Sequence, residues 1–277
     1  MKESKFFGLH ARPGKKLGIF LMFIPFIFAL FVYMGGSQYR QMENEKDKVM
    51  PTIAKMVDST IKYTVTEDRK GNYRLLNDAV NSVRRIVIGV TLAALVGLML
   101  GMNTALFPGM RELLNPFITF FSNIPALALM PILLITMGTG EVAKIGLIFI
   151  GTVFMITRDV FRATNELPKE QITKALTLGA TEFEVVYKIV LPQIIPSLLS
   201  TVRLSLGAAW LFLIAGEAIA STDGLGYRIY LVKRYMAMDV IIPYVLAITG
   251  LAFSMDRILK RFIGWKYPWY VATSGGK

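Results

Sequence analysis

Six apolar runs place the strongest constraint on the fold of this 277-residue chain. They cover residues 17–34, 86–107, 116–137, 142–157, 194–220 and 240–259. A helix needs roughly 20 apolar residues to cross a bilayer, and the fourth run lies near the lower limit of that length. A backbone in hydrocarbon must satisfy its own hydrogen bonds, and no segment alternates at period two as a barrel strand would. We therefore expect an all-α polytopic membrane protein with about six transmembrane helices.

The composition agrees with a membrane protein and excludes several classes of chemistry. Hydrophobic residues make up 54% of the chain, cysteine is absent, and His10 is the one histidine. Disulfides, thiol nucleophiles and clusters of histidine or cysteine around a metal are therefore ruled out. The net charge of +12 is carried by basic residues that flank the apolar runs. We expect anionic lipid headgroups, and no nucleic acid, to be the partner of this charge.

The first run is predicted to be a retained helix with its N-terminus in the cytoplasm. Basic residues precede it, and Tyr33-Met34-Gly35-Gly36 is a poor cleavage site for a signal peptidase. Six spans then place both termini and residues 158–193 in the cytoplasm, where Lys and Arg are abundant, in agreement with the positive-inside rule. The outside loops 35–85 and 221–239 fit the rule less well, because they also carry Lys and Arg.

A polar, charged segment separates the fourth and fifth runs. Residues 173–192 predict a short helix, a turn at Gly179, a second short helix and a stop at Leu191-Pro192. Glycine allows the left-handed conformation that a tight turn between helices requires, and proline suits a helix boundary. Any loop between two helices could use glycine and proline in this way, so the segment alone does not fix a role.

Four stretches stand out by their order and spacing. They are Asn123-Ile124-Pro125-Ala126-Leu127-Ala128-Leu129-Met130-Pro131 with Met137-Gly138-Thr139-Gly140-Glu141, the polar segment 173–192, Arg203-Leu204-Ser205-Leu206-Gly207-Ala208-Ala209-Trp210 with Ala215-Gly216-Glu217, and Gly224-Leu225-Gly226-Tyr227. Together they resemble the permease subunits of ABC importers, and most closely the branch that serves nitrate, aliphatic sulfonates, taurine and bicarbonate. The resemblance runs from roughly Asn77 to Trp269.

The resemblance implies a type I importer permease that moves a solute across the inner (plasma) membrane and does not itself hydrolyse ATP. The implied partners are an ATP-binding cassette ATPase, a second permease copy or close paralogue, and an extracytoplasmic solute-binding protein. ATP and Mg²⁺ would bind the ATPase, and no cofactor is expected on this chain. The implied solute is a small anion such as nitrate, a sulfonate, taurine or bicarbonate.

The apolar runs, together with the resemblance from about Asn77 onward, divide the chain into five parts. They are a cytoplasmic N-terminus (1–16), a first transmembrane helix (17–34), an extracytoplasmic connector (35–85), a permease core (86–260) with a coupling loop (158–193), and a cytoplasmic C-terminus (261–277). The connector is expected to hold a short amphipathic helix near residues 51–57, either docked on the membrane or a partner, or simply solvated.

The polar segment resembles the cytoplasmic coupling helix of these permeases, which fits a cleft on the ATPase. The residues that the resemblance assigns to ATPase coupling are Ala175, Gly179, Ala180, Phe183, Leu191 and Pro192. Relatives often begin this motif with Glu-Ala-Ala, whereas this chain has Thr173-Lys174-Ala175. The resemblance therefore carries over no salt bridge from that glutamate.

Three polar residues are candidates for the solute pathway or its gate. Ser122 and Asn123 lie where Pro125 should break the third helix, and freed backbone groups at such breaks can line a cavity; a simple proline kink is the alternative. Glu217 lies deep in the fifth run, where a charge costs roughly 2.5–3.5 kcal/mol, so it should face the bundle interior or water. It is either a gate or pathway residue, or a buried acid bonded to backbone groups or to an arginine.

Two further patterns concern packing and charge. Small residues recur at three- and four-residue spacing on the second run and indicate a close helix contact, between two subunits or within one. They are Gly89, Ala93, Ala94, Gly97 and Gly101. Arg158 and Asp159 end the fourth run and are predicted to form a cytoplasmic charge pair.

Other functional classes fit the sequence less well. An ion-coupled secondary transporter or channel would need intramembrane acids or Asn/Gln clusters, usually in inverted repeats, and no repeat is visible. A membrane-embedded enzyme would need the His, Cys or paired carboxylates that this chain lacks. An ATPase subunit that co-purifies with the chain would separate these alternatives.

Overall fold

The computed structural model describes residues 14–44, 47–65 and 73–273, and these residues form helices without an extended strand. The all-α prediction is therefore confirmed for this part of the chain. Most of the predicted cytoplasmic N-terminus, with His10, lies outside the described residues, as do parts of the connector and the last four residues.

Twelve α-helices, one 3₁₀ turn and one π-helical turn follow one another in the described residues. They are α1 (Lys15–Glu43), α2 (Ile53–Val65), α3 (Arg74–Leu106), α4 (Pro108–Ser122), the 3₁₀ turn (Ala126–Leu129), α5 (Met130–Met137), α6 (Glu141–Asn165), α7 (Lys169–Thr177), α8 (Glu182–Glu184), the π-helical turn (Val185–Val190), α9 (Leu191–Ala220), α10 (Leu225–Lys233), α11 (Met238–Lys266) and α12 (Pro268–Thr273).

Four of these helical stretches are long and apolar enough to cross a membrane, and a fifth is added if a bent pair counts as one span. The four are α1, α3, the continuous stretch Glu182–Ile219 and α11. The bent pair is α4 with the 3₁₀ turn and α5, which meet at 85°. The bend confirms the proline-broken third helix, since Pro125 lies between the two parts and has no N–H to donate to a helix.

Helix α6 contains the fourth predicted span but is not one of those candidates. Charged residues lie near both of its ends, Glu141 and Lys144 at one and Arg158, Asp159 and Arg162 at the other. It is nevertheless the centre of the bundle, and Leu147, Ile148 and Ile156 are almost fully buried. The fourth predicted helix is thus present as an interior helix with a short apolar middle.

The stripe of small residues on α3 packs against α6 of the same chain. A Cβ atom added at Gly89 would lie 2.8 Å from Ile148 Cγ2, and one added at Gly97 would lie 2.8 Å from Ile156 Cγ2. At Gly101 it would lie 2.7 Å from the backbone oxygen of Thr157, which cannot move aside as a side chain can. The stripe therefore serves packing within the subunit, which was one of the two alternatives left open.

Helices α1 and α2 lie at the margin of the bundle. Large apolar side chains cover α1 and are widely exposed, for example Phe26 at 72%, as expected for a helix surrounded by lipid. Helix α2 is the amphipathic helix predicted in the connector, longer than expected. It packs on α11, where Ser59 Oγ donates to Asp239 at 2.5 Å and the rings of Tyr63 and Tyr244 meet edge to face.

Candidate functional site

Helix α7 ends in a Schellman motif at Gly179. The Ala180 N–H donates to Ala175 O at 3.0 Å, and the Gly179 N–H donates to Leu176 O at 3.0 Å. These two bonds require a left-handed residue just past the helix, and Gly179 has φ +89°. The left-handed turn expected at this glycine is therefore present, and Ala175 and Ala180 both pack against the apolar cluster beneath it.

Helix α8 begins at once with a capping box. The Thr181 side chain accepts from the Glu184 N–H at 3.3 Å, and the Glu184 carboxylate accepts from the Thr181 N–H at 3.1 Å. Lys188 Nζ lies 2.8 Å from Glu184. The direction of the chain after the Gly179 turn is thus fixed by local bonds.

The stop predicted at Leu191-Pro192 is wrong, because the helix continues. The π-helical turn shifts the hydrogen bonds by one residue, so that the Leu191 N–H donates to Val186 O, and α9 runs on from Leu191 to Ala220. Pro192 lies in the first turn of α9, where a missing N–H is tolerated. The second short helix and the fifth span are consequently one continuous helical stretch.

The segment presents exposed apolar side chains around the Gly179 turn. Leu178 is 87% exposed and Phe183 is 69% exposed, and the Phe183 ring packs on Tyr187 with centroids 4.3 Å apart. Of the other candidate coupling residues, Leu191 is half-buried and Pro192 is exposed. We call this surface, made by Leu178, Phe183 and Tyr187, the coupling tip. An apolar patch on a charged segment marks a surface suited to a protein partner.

A cavity of about 730 Å³ lies between α4, α6 and α9. Asn115, Thr119 and Ser122 line it from α4, at the spacing of one helix face. Arg158 and Arg162 line it from α6 with Asp159, and aromatic rings supply much of the remaining wall. Those rings belong to Phe121, Phe154, Phe161 and Phe212.

The ion pairing in this cavity differs from the predicted pair of Arg158 and Asp159. Asp159 does not pair with Arg158; it lies 3.6 Å from Arg162 one turn further on. Arg158 instead donates from Nη1 to Ser122 Oγ at 3.4 Å. The reason is geometric, since successive residues of a helix point in different directions whereas residues three apart share a face.

The structure places the three candidate pathway residues in two separate regions. Ser122 lines the cavity, whereas Asn123 is exposed beside it and donates from its side chain to Thr119 O at 2.8 Å. Glu217 lies elsewhere, fully buried between α3, α9 and α10.

Glu217 belongs to a buried ionic cluster built around Arg85. Arg85 Nη1 donates to Glu217 Oε1 at 2.7 Å, and Ser82 Oγ donates to the same oxygen at 2.8 Å. Arg85 also pairs with Glu141 at 2.6 Å and with Asp223. The arginine is 1% exposed, and the three carboxylates compensate its desolvated charge, although Glu141 is shared with the buried Lys144 at 2.9 Å. We call these five side chains the Arg85 cluster.

The Arg85 cluster also caps the start of α10. The Gly226 N–H donates to Glu217 at 2.8 Å and the Leu225 N–H donates to Ser82 at 2.9 Å. Asp78, which is not part of the cluster, accepts from the Gly224 N–H at 3.0 Å. Gly224 has φ +114°, and a Cβ atom there would lie 2.4 Å from the Glu217 carboxyl carbon. The predicted Gly-x-Gly turn is thus explained by close approach to a buried acid. Sequence reasoning missed Asp78 and Arg85, although their spacing of seven residues indicates one helix face.

Comparison with known proteins places this chain in a family. Residues 89–264 match the family described as the binding-protein-dependent transport system inner membrane component. The chain belongs to this permease family. The matched region begins inside α3, ends near the end of α11, and contains both the coupling tip and the cavity.

The names of several relatives of this permease state a solute, and two of these relatives are described here. The taurine transport system permease protein TauC of Escherichia coli (strain K12) is 30% identical over 189 residues, which cover 68% of this chain and 69% of TauC. The bicarbonate transport system permease protein CmpB of Synechococcus elongatus is 28% identical over 189 residues, with 68% of this chain and 66% of CmpB covered.

Solved structures share the fold of the permease. A chain of the MetNI methionine ABC transporter in an inward-facing conformation aligns with a TM-score of 0.57 and 22% identity, and covers 68% of this chain and 95% of its own. A chain of an amino acid ABC transporter crystallised with histidines aligns with a TM-score of 0.57 and 14% identity, over 77% of this chain and 96% of its own. At these sequence identities, the structural similarity establishes a shared fold alone.

Proposed function

We propose that this permease forms the translocation pathway of an ATP-driven importer and is driven through its coupling tip by a separate ATP-binding cassette ATPase. The observation that carries the proposal is the coupling tip itself, an exposed apolar surface held by the Schellman motif on one side and the capping box on the other. Because α8, the π-helical turn and α9 are continuous, a movement of the tip passes directly into a membrane helix.

The proposed assembly contains two permease chains, two ATPase subunits and an extracytoplasmic solute-binding protein. ATP and Mg²⁺ bind the ATPase, whose two sites close together and so require two membrane subunits. The coupling tip and both termini face the cytoplasm, and the Arg85 cluster lies toward the outside. The proposed solute is a small anion, supported by the stated solutes of TauC and CmpB and by the excess of arginine in the cavity.

Co-expression with a candidate ATPase subunit tests this assembly. Native mass spectrometry of the purified material should show two permease chains with two ATPase subunits. The ion-coupled secondary transporter, which is the alternative, predicts a stable permease with no ATPase bound, and that result would count against the proposed function.

A further inference from the structure

We propose that the cavity between α4 and α6 binds a small oxyanion and that Arg158 is its charged ligand. This inference rests on the proposed function, in which the cavity is part of the solute pathway. It adds a named site and a chemical class of ligand, namely a compact anion whose charge is shared among two or more oxygen atoms, as in nitrate, bicarbonate or a sulfonate.

The first observation is that Arg158 has no acidic partner. Among residues 14–44, 47–65 and 73–273 it forms no ion pair, and Asp159, the nearest acid in sequence, is engaged by Arg162. The three charged groups that line the cavity therefore leave one positive charge uncompensated. The Arg158 side chain is exposed at this cavity, so its charge is open to an anion from solution.

The second observation is how Arg158 is held. Ser122 Oγ donates to Thr119 O at 2.9 Å and accepts from Arg158 Nη1 at 3.4 Å, so the hydroxyl links the guanidinium to the backbone of α4. Within the described residues, one of the five guanidinium N–H groups is used, and the planar fork of the others matches two oxygens of one anion. Ser122 is thus a positioning residue, and Asn115, about two turns earlier on the same face of α4, supplies a further polar group.

The third observation is the shape of the cavity. Phe121 and Phe154 stack with centroids 6.0 Å apart, and Phe212 packs where Gly151 leaves room, since a Cβ there would lie within 2.2 Å of its ring. These rings restrict the space around the arginine and leave a volume suited to a small ligand and its water. Arg158 lies 17 residues beyond Glu141 on α6, about 26 Å along the helix. The site is therefore at the opposite end of α6 from the Arg85 cluster.

Ligand-dependent thermal stability of the purified permease–ATPase complex tests the site. Nitrate, bicarbonate, taurine and methanesulfonate are the probes, each added as the sodium salt or zwitterion against sodium chloride at equal ionic strength. The wild-type complex should show a higher Tm with at least one probe. Arg158→Gln should lose that shift or need roughly tenfold more ligand to reach it, because a charge-assisted hydrogen-bonded pair is lost, while Arg158→Lys should keep part of it.

Two controls make the result decisive. Arg257→Gln removes another exposed positive charge, on α11 and outside the lining of the cavity, and should bind the probe as the wild type does. Equal Tm values without probe show that each variant is folded. A wild-type complex that no probe stabilises, or an Arg158→Gln complex stabilised as strongly as the wild type, overturns the site. Co-purification of the ATPase is measured on the same samples, so a failed assembly is distinguished from a failed site.

Discussion

Gly179→Val is expected to abolish ATP-driven transport while the protein remains at normal abundance in the membrane, because Gly179 forms the turn between Leu178 and Phe183 of the coupling tip. Gly179 has φ +89° and an open space where a Cβ would be, so the effect arises from the backbone and not from a clash. A β-branched residue is badly strained there, at a cost of about 1–3 kcal/mol. The turn should open, and the two Schellman hydrogen bonds should be lost with it.

The measurement pairs solute uptake with solute-stimulated ATP hydrolysis in the reconstituted complex. Both should fall sharply in Gly179→Val, since a misdirected tip no longer transmits movement. Gly179→Asn is the matched control, because asparagine tolerates the left-handed region better than other side chains, and it should retain most of the activity. Normal transport by Gly179→Val would show that this turn does not couple the two subunits.

Arg85→Met should destabilise the folded permease severely. The substitution keeps an unbranched side chain but shortens it and removes the guanidinium, so that among the described residues Glu217, which is 0% exposed, keeps Ser82 and the Gly226 N–H as its partners. Removal of one partner from a buried ion pair costs about 3–5 kcal/mol. The expected outcome is a large fall in the Tm of the detergent-purified protein, with poor expression at growth temperature.

Arg84→Met is the control for that experiment. The Arg84 side chain is 58% exposed and lies 3.7 Å from Glu141, so its loss should change the Tm little. Should Arg85→Met be too unstable to purify, Glu217→Gln offers a milder test, since the amide can still accept from Ser82 or Gly226. A similar Tm for Arg85→Met and Arg84→Met would contradict a structural role for the Arg85 cluster.

Local signals in the sequence predicted the parts of the molecule that depend on neighbouring residues. Apolar runs located the helices, Pro125 marked the broken third helix, and Gly179 marked a left-handed turn. The stop at Pro192 was wrong because a π-helical turn, which has no recognised local signal here, carries the helix past the proline. Local sequence signals alone therefore predicted these helical elements, together with one wrong helix end at Pro192.

The Arg85 cluster and the cavity depend on contacts between distant parts of the chain. Glu217 was singled out as a costly buried charge, but its partner Arg85 lies 132 residues earlier and just outside an apolar run. Likewise, Arg158 meets Ser122 across two helices, whereas its sequence neighbour Asp159 suggested a pair. Without knowledge of how α3, α4 and α6 pack, the sequence cannot choose among such partners.

Cross-linking from the coupling tip tests most directly whether this permease is driven by an ATPase. The chain has no cysteine, so Leu178→Cys, at a side chain that is 87% exposed, provides a unique attachment point for a short reagent that joins a thiol to an amine. In membranes containing both subunits, Leu178→Cys should give a covalent permease–ATPase product, and Leu113→Cys, 69% exposed on α4, should not. A Leu178→Cys permease that binds the ATPase but never cross-links to it, or whose thiol reacts only from outside, would contradict the proposed coupling.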